Sequence, residues 1–100
     1  MKIVLEGDSL VVSSRRGRAV RFSDIAEVTA EKISKITYDE VFLIVQDHSG
    51  CSVTLGELDE GFADAEQALR THLPAFPSDW RDLAEQSPVG VRSPVWPTQP

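Results

Sequence analysis

The chain predicts an α+β domain: an antiparallel sheet of about six strands over residues 2–56, followed by helices. Three features carry that prediction. Short β-branched runs alternate with turn dipeptides up to Phe22. Residues 41–45, VFLIV, are apolar on both faces, as a central strand is. Beyond residue 60 the apolar period changes from two to that of a helix.

Residues 2–5 (KIVL) and 9–13 (SLVVS) form a hairpin about Gly7-Asp8, a pair with turn chemistry. A second turn, Ser14 to Gly17, leads into Arg18–Phe22, where Val20 and Phe22 alternate with arginines as in a half-buried strand.

The next stretch, residues 23–36, has two readings. As a helix it would be capped by Ser23, with Ile25, Val28 and Ile36 on one side, but Lys32 interrupts that stripe and neither Gly nor Asn ends it. As a strand, Val28, Ala30 and Lys32 share one face. Pairing decides between them, because a strand apolar on both faces needs two neighbours. Residues 51–55 (CSVTL) supply one through a turn at 47–50, and residues 26–35 supply the other through a turn at 37–40. Residues 23–25 then form a tight corner.

Phe62, Ala65, Leu69 and Leu73 recur at helical spacing, with Asp59 and Glu60 at the positive end of the dipole and Pro74 as a stop. This predicts the main helix over 60–73. A shorter helix over 79–86, capped by Ser78, turns Trp80, Leu83 and Ala84 inward. Residues 88–100 carry four prolines and are not helical; they form either a loose tail or an extended edge segment on the sheet, and Val91, Val95 and Trp96 favour docking. No repeat or domain boundary interrupts residues 1–100, which read as one domain able to bury roughly 60–65% of its unfolded surface.

The order of residues resembles that of a family of small, uncharacterised, single-domain bacterial proteins. The likeness runs through Val20-x-Phe22-x-Asp24-Ile25-x-x-Val28, Asp39-x-Val41-Phe42-x-x-Val45, Gly50-Cys51-x-Val53, Gly61-Phe62 and Leu73-Pro74-x-Phe76, and finishes near Trp96. That family usually has a Gly-Pro turn where this chain has Ser34 to Thr37. The resemblance implies a curled antiparallel sheet closed by a C-terminal helix, similar to a pleckstrin-homology-like roll. It implies no activity.

Charge narrows the functional classes. The net charge is -6; residues 1–50 hold seven Lys/Arg against eight Asp/Glu, and residues 51–100 hold three against eight. Such a chain repels phosphate backbones, which argues against nucleic-acid binding. No apolar run approaches the roughly 20 residues that span a bilayer. Glu6 interrupts the run a signal peptide would need, so the expected location is cytoplasmic.

No catalytic, cofactor or metal constellation assembles. Cys51 is expected as a buried free cysteine on the face of Val53 and Leu55, with no neighbouring cation to lower its pKa. His48 falls in a turn, and His72 sits in the last helical turn, where it suits the dipole. The two share no ligand spacing. Glu57 with Asp59, and Asp39 with Glu40, read as solvated acids in turns. No phosphate loop or nucleophile elbow occurs, and no small-molecule ligand is identifiable.

The positive group Arg15, Arg16, Arg18 and Arg21 is read first as a charged edge that resists aggregation. Its functional reading is an anion or acidic-partner site, and a third reading pairs these arginines with the helix acids Glu60, Asp64 and Glu66, within the molecule or across a dimer. Trp96 is the second partner-contact candidate. The expectation is an interaction module that binds a protein partner or self-associates, with no catalysis. An acidic immunity or regulatory protein that masks a basic target is the alternative, and a hydrolase or transferase ranks last.

Overall fold

The computed structural model describes residues 2–13 and 18–97. Strands β1 (Lys2–Glu6), β2 (Ser9–Ser13) and β3 (Arg18–Arg21) come first, and a short 3-10 turn, Phe22–Asp24, leads into β4 (Ile25–Ser34), β5 (Asp39–Asp47) and β6 (Ser52–Gly56). Helices α1 (Phe62–His72) and α2 (Trp80–Gln86) follow, and the chain returns to the sheet as β7 (Arg92–Trp96).

The strand reading of residues 26–35 holds. β4 runs antiparallel to β5 from Ile25↔Asp47 to Ser34↔Asp39, with an irregularity between Ile25 and Glu27. β6 covers the other side of β5, so the doubly apolar strand does have a neighbour on each flank. Lys35 N–H donates to Tyr38 O at 2.7 Å and closes the β4–β5 hairpin.

The expected single sheet of six strands is corrected to two antiparallel sheets, β1-β2-β3 and β6-β5-β4-β7. The corner at Phe22–Asp24 is the physical reason. Phe22 N–H still donates to Asp8 O, continuing the first ladder, whereas Ile25 already opens the second. The chain therefore changes sheet within three residues, and the apolar faces of both sheets meet in one core. Leu10, Val28, Leu43, Val45, Leu55 and Leu69 have no exposed surface.

The helices are corrected too. The extended segment expected after residue 88 does dock, as β7, a seventh strand paired to β4, so the sheet is not closed by a C-terminal helix. Val95 is buried there and Trp96 packs on the core, whereas Val91 is half exposed. α1 starts at Phe62 because Gly61, with φ 90°, turns the chain in a left-handed conformation beside β1. A Cβ there would overlap the Ile3 carbonyl oxygen. α2 is preceded by Asp79 rather than capped by Ser78. Trp80 and Ala84 face inward as expected, but Leu83 faces solvent. Lys32, the residue that breaks the helical stripe, donates from Nζ to Glu85 O at 2.7 Å, where a cation meets the carbonyl end of α2.

Candidate interaction surfaces

Three surfaces stand out, and the first lies at the tip of the β4–β5 hairpin. Ile36 is completely exposed and Tyr38 is half exposed; Ile33 precedes them with over a third of its surface open. Val89 and Val91 are also half exposed, on the turn before β7. That turn reaches the same end of the sheet, because Gly90 N–H donates to Lys32 O at 2.9 Å. Five large apolar side chains thus share one end of the four-stranded sheet without cover from the described residues. The sequence shows each of them, but nothing in periodicity reveals that two loops 50 residues apart converge.

The second surface is the arginine end. Arg15 and Arg16 lie outside the described residues. Arg18 is exposed and donates from Nη1 to Ser52 O at 3.3 Å, spanning from β3 to β6. Arg21 pairs with Asp8 at 3.7 Å, both side chains well exposed. Neither reaches the helix acids of its own chain, so pairing of Arg18 and Arg21 with Glu60, Asp64 and Glu66 within the molecule is corrected. Glu66 has other partners: it accepts from Trp80 Nε1 at 2.7 Å and pairs with Arg70 at 3.4 Å.

The third surface is an acidic cleft of about 490 Å³ beside α1. Glu57, Asp59, Asp64 and Glu66 line it, with Phe62, Trp80 and Arg81. Arg81 Nη2 lies 2.7 Å from Glu57 Oε2. Glu57 also accepts the Val41 N–H, and Asp59 accepts the Gly56 N–H at 3.0 Å. The expectation of solvated acids fails for two residues. Glu57 keeps only a tenth of its side chain exposed, and Glu40 is buried within β5. The reason is Gly56, whose missing side chain leaves room for Glu40 and Asp59 to fold over the end of β6.

Cys51 reverses its expectation. β6 begins one residue later, at Ser52, and the thiol is exposed. Its N–H is held by Asp47 Oδ1 at 2.9 Å. The same oxygen accepts the Ser49 hydroxyl at 2.7 Å and the Ser49 N–H at 2.9 Å. The Ser49 hydroxyl, supported by backbone N–H donors of the turn, holds the Asp47 carboxyl below its usual pKa.

His72 does end α1, and it also stacks on Phe22 with ring centroids 4.3 Å apart. No group of three or more His, Cys, Asp or Glu side chains among the described residues is placed to hold a metal ion. Trp96, a partner candidate, is half-buried and donates from Nε1 to Pro74 O at 2.8 Å, which ties β7 to the end of α1. No helix among the described residues is long and apolar enough to cross a membrane. No family model, curated protein or solved structure matches this chain.

Proposed function

We propose that the protein is a small interaction module that acts by binding a protein partner, with the apolar end of the four-stranded sheet as its principal contact. The observation that carries this reading is the convergence of Ile33, Ile36, Tyr38, Val89 and Val91 on one end of the fold. Scattered apolar residues are ordinary on a surface, but a contiguous group marks a site that another chain covers. Ile36 and Tyr38 project from a hairpin whose strands pair as far as Ser34↔Asp39, which limits the ordering that binding would require.

The acidic cleft favours a second reading, an immunity or regulatory protein that masks a basic target. Four carboxylates around Phe62 and Trp80, with Arg81 already seated on one of them, suit the cationic side chains of such a target.

The two readings separate in one experiment. Affinity capture from the native cell is run with the wild-type chain, with Ile36→Asp plus Tyr38→Asp, and with Asp64→Lys plus Glu66→Lys. Light scattering over a range of concentrations reports self-association in parallel. The first reading expects the captured or self-associated species to vanish in the hairpin variant, with the melting temperature unchanged. Loss only in the acidic-cleft variant transfers the role to the cleft. An identical capture profile and mass for wild type and the hairpin variant overturns the apolar-end reading.

A further inference from the structure

The fold treats its acids unequally. Among the described residues five are partly buried, and each has a donor: Glu31 pairs with Arg92, Glu57 with Arg81 and Glu66 with Trp80 and Arg70, Asp47 holds its own turn, and Asp59 accepts the Gly56 N–H. Glu40 is more buried than any of these, with 7% of its surface exposed, yet no hydrogen bond or ion pair reaches its carboxylate. Lys35, the cation of the same hairpin, lies over the Phe42 ring at 5.7 Å from its centroid and makes no ion pair with Glu40. A carboxylate enclosed to that degree without a donor is unfavourable, and it calls for a reason.

Its surroundings form a notch. Glu40 and Phe42 share one face of β5, and Phe42 pairs across to Gly56. From the point where a Cβ of Gly56 would stand, Glu40 Oε2 is 2.8 Å away, Phe42 Cε1 3.0 Å and Asp59 Oδ2 3.1 Å. Two carboxylates therefore converge on a place that glycine keeps open, close enough for one cation to touch both. Glu57 Oε2, seated on Arg81, is the one side-chain atom among the described residues that is fully enclosed without a hydrogen bond. The Glu40 oxygens are thus open at their tips, and a ligand can reach them.

Chemistry and position select the occupant. No third His, Cys, Asp or Glu is grouped with these two carboxylates as a metal site needs, so an organic cation suits them better. A compact ammonium carries three donors that two converging carboxylates can share, whereas a planar guanidinium favours a single carboxylate side-on. Ile33 stands directly opposite Glu40 in the β4–β5 pair, so the notch adjoins the apolar end of the sheet. We propose that Glu40, with Asp59 beside it, receives the ammonium group of a lysine carried by the partner that covers the apolar end. The inference rests on that reading for the partner, though not for the ion. The cleft beside α1 is a different site, which includes Asp59 but not Glu40.

The test uses the full chain, n-butylammonium chloride as the ion alone, and the blocked peptide acetyl-GIKIG-amide, with its Nε-acetyl-lysine form as the neutral control. Amide and side-chain carboxylate resonances report each contact. The ion at millimolar concentration is expected to shift Glu40 and Gly56, and the lysine peptide to shift Ile36 and Tyr38 as well. Acetylation of the peptide's lysine, or Glu40→Gln in the protein, should weaken peptide binding about tenfold or more. The melting temperature of Glu40→Gln should be no lower than that of wild type, because no internal donor depends on the charge. Absence of an ion-induced shift at Glu40 overturns the proposal, and so does equal binding of the acetylated peptide. A clear fall in the melting temperature of Glu40→Gln overturns it by revealing an internal partner. An equal loss in Asp64→Asn overturns it too, since net charge rather than the notch would then attract the ion. Peptide binding no tighter than that of the ion removes the partner's lysine in favour of a free amine. Ile36→Ser plus Tyr38→Ser should still take the ion while binding the peptide less, so failure of the apolar end is read on the peptide and failure of the lysine site on the ion.

Discussion

Strand β5 runs between two turns of opposite character. At its far end, the turn after Asp47 is polar and self-contained, one carboxylate oxygen accepting the Ser49 hydroxyl and the N–H groups of Ser49 and Cys51. At its near end, the turn before Asp39 leaves Ile36 completely and Tyr38 half exposed among the described residues. Both turns are closed by backbone hydrogen bonds, so stability does not require the apolar side chains at the second. The contrast teaches that apolar character in a strand-and-turn unit has two uses. Between the turns it holds the core, and at the hairpin tip it stays exposed, which is the basis of the binding role proposed above.

The comparison can be broken at several points. The largest effect is expected in the strand itself. Leu43 is fully buried, so Leu43→Ala should cost about 2–5 kcal/mol and lower the melting temperature by about 10 °C or more in a scanning calorimeter. A loss near zero would show that the sheet does not carry the core as described. Next comes deletion of residues 90–100, which removes β7, the buried Val95 and the Trp96–Pro74 tie, and bares the β4 edge. A drop of at least about 5 °C is expected, and an unaltered melting curve would refute the docking of this segment.

Smaller effects distinguish the two turns. Asp47→Ala removes three hydrogen bonds from the polar turn and should loosen it, read as faster hydrogen exchange at Ser49 and Cys51. The native Asp47 pKa lies below its ordinary value, so its contribution to stability is present above that value and disappears as the pH falls through the lowered one. The wild type should therefore lose this contribution only below about pH 4, and the gap between wild type and Asp47→Ala should narrow there. The smallest change in stability is expected at the other turn, where Ile36→Ser should stay within about 0.5 kcal/mol of wild type. A larger loss would mean that Ile36 serves the fold, and the apolar-end reading would lose its main support.

Much of the fold was legible locally. The Gly7-Asp8 turn, the strand nature of β5, the helical period of Phe62, Ala65 and Leu69, and the need of VFLIV for two neighbours all follow from period and turn chemistry. The candidate surfaces were less legible. Arg18 and Arg21 stood out because charge is visible in a sequence, but their separation from the helix acids is a matter of distance. The exposed Cys51 and Leu83, and the buried Glu40, went against their local patterns. Strand and helix ends lie one or two residues from the bounds that periodicity sets.

Residue order alone determined that this chain makes antiparallel strands followed by helices, because backbone preference and the period of apolar residues act over a few neighbours. Tertiary structure decided the rest. It split the strands into two sheets at Phe22–Asp24, recruited Arg92–Trp96 as a seventh strand, and brought the 88–91 turn beside Lys32. Those choices depend on which surfaces many residues apart bury one another, a cooperative outcome of packing that no short window of sequence contains.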